Sequence, residues 1–132
     1  MAGTGLDILE RIIATRGGFG HREHLELAWT CLDRYGEVDA AHQAVAAAVQ
    51  HLARRHGMPQ KYHETLTRAW VVVVALHRTL EPGASFDAFL AAHPRLLERD
   101  LLSRHYSEPL LWSDAARARW TEPDRCAFPT PA

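Results

Sequence analysis

Helical periodicity constrains this chain most, because every segment longer than about ten residues repeats its apolar side chains at helical spacing. No segment alternates polar and apolar residues as a half-buried strand does. The spacing therefore predicts an all-α fold. A chain of 132 residues, 47% of them hydrophobic, is long enough for one core. We predict a single helical domain over 1–132, with a core bundle at 5–80, short helices at 85–120 and a tail at 121–132.

Glycine and proline positions set the expected bounds of an up-and-down bundle. A first helix carries the apolar stripe from Leu6 to Ile13 and ends before Gly17. The next three are predicted at His21–Tyr35, at about Val38–His56, and from Pro59 to about Leu80. Shorter helices are expected at 86–92, from Pro94 to about Arg104, and from a cap at Ser113 to near Trp120, followed by an extended tail.

Charge and hydropathy argue against two classes of partner. The formal net charge is −1 and no run of like charges exists, so the chain lacks the basic surface that nucleic acids or anionic membranes require. The longest apolar run, Ala69 to Leu76, is much shorter than the ~20 residues of a membrane span. Cys31 and Cys126 form no disulfide framework. We expect a soluble, cytoplasmic protein that acts on a small molecule.

The positions of the histidines suggest a site. His21 and His24 share the inward face of the second helix with Leu25 and Ala28, and His63 lies on the inward stripe of the fourth. Short connections force antiparallel neighbours, so one end of the bundle is expected to hold these three residues. On this reasoning the same end also holds His56, Tyr62 and Glu64, whereas Tyr35, His42 and His77 lie at the opposite end.

Three neutral imidazoles can bind a divalent metal and leave a coordination position open for water or substrate. His21, His24 and His63 are the predicted metal ligands, and zinc, iron and copper all accept such ligands. Tyr62 and Glu64 are the predicted catalytic residues, which would assist proton transfer. His56 and Asp114 remain open as further members of the site.

Three segments carry a resemblance to a group of small, all-helical bacterial proteins. They are Phe19-Gly20-His21-Arg22-Glu23-His24-Leu25 with the following Ala28-Trp29, Lys61-Tyr62-His63-Glu64-Thr65-Leu66-Thr67, and Trp112-Ser113-Asp114 with Pro123-Asp124. The resemblance spans Phe19 to Asp124. It implies no activity, but it favours His21, His24 and His63 over the other histidines.

Two functions follow from these patterns. The first is a small metal-dependent enzyme, with hydrolysis or elimination favoured over oxygen chemistry. The second is a metal-free helical module that binds a ligand or a partner protein, in which neighbouring groups satisfy the histidines. Metal content separates the two. The sequence leaves the metal, the substrate and the oligomeric state open.

Overall fold

The computed structural model describes residues 4–129, and within them the fold is all-α, as predicted. In this described part of the chain, seven α-helices pack around one hydrophobic core. The long ones are α1 (Gly5–Arg16), α2 (His21–Tyr35), α3 (Val38–Arg55) and α4 (Glu64–Arg78). The short ones are α5 (Phe86–Ala92), α6 (Glu108–Leu111) and α7 (Asp114–Ala118). Short 3₁₀ segments occur at Pro59–Lys61, Pro94–Leu97 and Arg99–Arg104.

Local signals account for most helix ends. Thr4 caps α1 and forms a reciprocal capping box with Asp7. Gly17 and Gly36 end α1 and α2 in the left-handed conformation, with φ of 86° and 84°. Ser113 caps α7 by accepting a hydrogen bond from the Ala116 amide. The predicted bounds of α2 are confirmed at both ends.

The fourth helix begins later than predicted. Pro59 opens only a 3₁₀ turn, the chain is extended at Tyr62 and His63, and α4 starts at Glu64. His63 is therefore not a helical residue but the N-cap of α4. The helix ends at Arg78, two residues before the predicted end at about Leu80, and Leu80 is 65% exposed.

The connection between α3 and α4 is not a tight bend. It therefore changes which residues lie together at each end of the bundle. Arg68 pairs with Asp39 at 2.6 Å, and His42 Nε2 lies 2.9 Å from Glu64 Oε2. Thirteen helical steps of about 1.5 Å separate His42 from Arg55 and span about 20 Å of α3, so the chain must return along α3 before α4 begins. The Pro59–Lys61 segment packs against α3 on this return. His42 consequently lies beside Glu64, and its predicted place at the opposite end is wrong.

The C-terminal part covers one side of the bundle. A single helix was expected from Pro94 to Arg104, but two 3₁₀ segments occur there instead. Helix α7 packs on α4, and the Thr121 amide donates to Thr65 Oγ1 at 3.1 Å. The buried Tyr106 donates its hydroxyl to the Thr121 carbonyl at 2.7 Å. These bonds fix the start of the tail, at Thr121, between α4 and Tyr106.

No helix in residues 4–129 is both long and apolar enough to cross a membrane. Cys31 is buried and Cys126 is exposed, and both are free thiols. Burial raises the pKa of the Cys31 thiol to about 12, which keeps it in the unreactive protonated form.

Candidate functional site

Two of the three predicted ligand histidines line one cavity of about 420 Å³, which we call the histidine cavity. It lies between the start of α2, the first half of α4 and the segment that leads into α6. Its lining residues are His21, His24, Leu66, Trp70, Arg99, Asp100, Leu102, Ser103, Tyr106, Glu108, Leu111 and Trp112.

The walls of the histidine cavity are mainly apolar. Trp70, Leu102 and Leu111 are almost completely buried, whereas Trp112 is 54% exposed. Three charged residues of the lining, Arg99, Asp100 and Glu108, are exposed to solvent. An apolar body with a few polar groups is the usual composition of a small-molecule pocket.

His21 is held in a fixed orientation at this cavity. Its Nε2–H donates to the Leu96 carbonyl at 2.8 Å, and its ring packs edge-on against Trp70 with 4.6 Å between the ring centroids. Burial lowers the pKa of His21, the bond to Leu96 opposes this shift, and the charge of Arg99 adds to it. A neutral ring with Nε2 protonated therefore leaves Nδ1 as an acceptor.

His24 differs from His21 because one of its nitrogens is buried without a hydrogen bond. Its Nε2 is buried and has no partner among the described residues. Burial lowers the pKa of His24 to about 4, and the nearby His21 contributes to the shift. The ring is accordingly neutral at physiological pH. An unpaired buried nitrogen is costly, with a penalty of roughly 1–3 kcal/mol.

His63 lies behind one wall of the histidine cavity and does not line it. The side chain is 4% exposed; its Nδ1 accepts from the Leu66 amide at 3.0 Å, and its Nε2–H donates to the Leu111 carbonyl at 2.6 Å. Both nitrogens are thus engaged with the backbone. Burial lowers the pKa of His63, and the bond to Leu111 opposes that shift.

The three predicted ligands do not form a metal-binding group in this arrangement. A metal would need a free nitrogen on each ring, and a bond to His63 would displace either Leu66 or Leu111. Within residues 4–129, no cluster of three or more histidine, cysteine, aspartate or glutamate side chains is arranged to hold a metal. The residues therefore do not fit the predicted site, and we derive no step through a metal.

Tyr62 and Glu64, the predicted catalytic residues, belong to a separate polar network. The Tyr62 hydroxyl donates to Glu64 Oε1, and His42 donates to Glu64 Oε2. Burial alone would raise the pKa of Glu64, but the bonds from Tyr62 and His42 outweigh it and lower the pKa. Burial and the neighbouring Glu64 raise the pKa of Tyr62. Neither residue lines the histidine cavity, and neither does His56 or Asp114.

A larger cavity, of about 750 Å³, lies between α2, α4 and the chain that follows α4. Two charged residues that line it, Arg78 and Asp33, pair with each other at 2.6 Å. Among the described residues, the buried side-chain nitrogens without a hydrogen bond belong to His24, His42 and His93, and none of these three lines it. His93 Nε2 also lies 3.3 Å from the Glu81 carboxylate. The histidine cavity is the better candidate because it alone of these two contains an unsatisfied buried polar atom.

The sequence did not indicate the part of the lining that lies between Arg99 and Trp112. These residues lie in 3₁₀ segments, loops and the four-residue α6, where no helical periodicity marks an inward face. The spacing of Leu102, Tyr106 and Leu111 is the one signal available, and it is equally typical of core packing. Comparisons with family models, curated proteins and solved structures found no match to this chain.

Proposed function

We propose that the protein binds a small organic molecule in the histidine cavity, without a metal. The ligand has an apolar body the size of one or two rings and a polar group that bonds to His24. One observation carries this proposal: the His24 Nε2 atom is buried and unpaired in a residue that lines a mainly apolar cavity. Buried polar atoms are nearly always bonded, so an exception at a cavity indicates a place for a ligand.

The neutral state of both imidazoles supports the same ligand class. Because burial lowers the pKa of His21 and of His24, neither ring attracts an anion at neutral pH. In this proposal the proton of the neutral His24 ring is on Nδ1, so its Nε2 accepts from an N–H or O–H group of the ligand. The aromatic walls at Trp70 and Trp112 favour a planar ring by edge or face contact.

Three probes of similar ring size test the proposal. Indole and phenol each carry one donor, whereas toluene has none. Dissociation constants would be measured by NMR, following the indole N–H signals of Trp70 and Trp112. We expect indole and phenol to bind more tightly than toluene by about tenfold, which corresponds to one hydrogen bond. His24→Phe should remove that difference and leave toluene binding in place.

The metal-dependent enzyme stays a separate prediction with its own test. Elemental analysis of protein purified without an affinity tag measures metal content directly. About one equivalent of zinc, iron or copper in the wild type, lost in His63→Ala, would support it and would contradict the metal-free proposal. Binding of the probes to metal-free protein would support the proposal made here.

A further inference from the structure

His63 connects two walls of the histidine cavity. Through Nδ1 it accepts from the amide of Leu66, at the start of α4, and through Nε2 it donates to the carbonyl of Leu111, at the end of α6. Its ring also packs edge-on against Trp112, with 5.4 Å between the centroids. Leu66, Leu111 and Trp112 all line the cavity.

These two bonds require one protonation state. The Leu66 amide can only donate, so Nδ1 must be without a proton, and the Leu111 carbonyl can only accept, so Nε2 must carry one. A proton on Nδ1 would place two donors against each other and break the cap of α4. The neutral Nε2–H form is therefore the only one that holds both walls together.

Helix α6 has four residues, too few to be stable alone, and its Trp112 end is exposed. Ser107 caps its start and bonds Asp124. Its other end is held by the buried Leu111 side chain, by the bond from Ser113 to the Leu110 carbonyl, and by the bond from His63 to the Leu111 carbonyl. Loss of that bond would free Leu111 and Trp112 to move relative to Leu66.

We propose that His63 positions the wall formed by Leu111 and Trp112, and that it thereby sets the affinity of the histidine cavity for its ligand. The inference rests on the proposed function, but it adds a residue that touches no ligand. His63 is a positioning residue, since it acts through Leu111 and Trp112.

The substitution His63→Asn tests this role selectively. Asparagine is a good N-cap, so it retains a bond to the Leu66 amide, but its side chain is too short to reach the Leu111 carbonyl. His77→Asn is the matched control. His77 is also a histidine that donates from a ring nitrogen to a backbone carbonyl, that of Val73 at 2.8 Å, and it does not line the histidine cavity.

We expect His63→Asn to weaken indole binding by about tenfold and His77→Asn to leave it unchanged. The N–H signal of Trp112 should shift in ligand-free His63→Asn and stay in place in His77→Asn. In Trp112→Leu, adding His63→Asn should have a smaller effect on indole affinity than it has in the wild type, since part of the wall is already absent.

Equal indole affinity in His63→Asn and the wild type would overturn the inference. If the wild type binds none of the probes, the proposed function fails, whereas the Trp112 signal of the ligand-free variant still tests the role of His63. If His63→Asn does not fold, the tautomer of the His63 ring in the wild type tests the inference instead. ¹⁵N NMR of the wild-type ring should show a protonated Nε2 and an unprotonated Nδ1, and the opposite tautomer would contradict the inference.

Discussion

His24 is a residue at which folding and binding have opposite requirements. Its unpaired Nε2 destabilises the folded protein and offers a ligand a bond. We predict that His24→Phe raises the free energy of unfolding by about 1 kcal/mol at neutral pH, because the unpaired polar atom is removed while ring volume is kept. Urea denaturation measures this change.

His77→Phe provides the comparison for that prediction. His77 Nδ1 donates to the Val73 carbonyl at 2.8 Å, so its replacement removes a bond and should lower the free energy of unfolding. If His24→Phe is as destabilising as His77→Phe, His24 has a structural partner and the ligand proposal loses its main support.

Single residues also show how much of the site could be predicted from the sequence. Helical spacing placed His21 and His24 on one inward face, and both line the histidine cavity. Spacing also placed His63 inward, and it is buried. The direction of its two nitrogens depends on where the Leu111 carbonyl lies, 48 residues later in the chain, and no local pattern contains that information.

Close contacts between helices depend on single small residues. Gly5, in the first turn of α1, faces the backbone of Ala44 in α3 so closely that an added Cβ would lie 2.2 Å from the Ala44 carbonyl oxygen. Gly5→Ala should therefore destabilise the protein by roughly 1–3 kcal/mol, although alanine is the better helix former. Thermal unfolding monitored by circular dichroism measures the loss.

Gly18→Ala is the control for that substitution. Gly18 does not have a positive φ, and a Cβ there would meet no atom within 4 Å. It should leave the midpoint of thermal unfolding close to the wild-type value. If Gly5→Ala were equally neutral, α1 and α3 would have to be farther apart than the structure places them.

The helix ends show which structural features could not be predicted from the sequence. Caps and glycines are local signals, and they gave the ends of α2 correctly. Pro59 is equally a local signal, but the helix starts at Glu64, because the chain first returns along α3. Contacts of that segment with α3 decide the start of α4, and through it the pairing of His42 with Glu64. Connection length alone therefore predicted that α3 and α4 are neighbours, but it placed His42 and Glu64 at opposite ends of the bundle.

The stability of the whole protein depends on pH through the three histidines that line the histidine cavity or lie behind its wall. The pKa values of His21, His24 and His63 are all lowered by burial, so the folded state binds fewer protons than the unfolded state. Their contribution to stability is complete above the unfolded pKa and is lost as the pH falls. For His24 this loss occurs between 6.5 and about 4.

We therefore predict that the free energy of unfolding falls as the pH is lowered from neutral to about 4, with His24 contributing at most about 3 kcal/mol of that loss. Glu64 extends the decline below this window, because its lowered pKa means that acid protonates the carboxylate that Tyr62 and His42 hold. Urea midpoints across the range measure the slope. His24→Phe should flatten it above pH 4 and leave the part due to Glu64. An unchanged slope in His24→Phe would mean that this ring keeps its ordinary pKa of about 6.5 in the folded protein. The ring would then be charged below that pH, and its second N–H would repel donors such as indole there and favour anions.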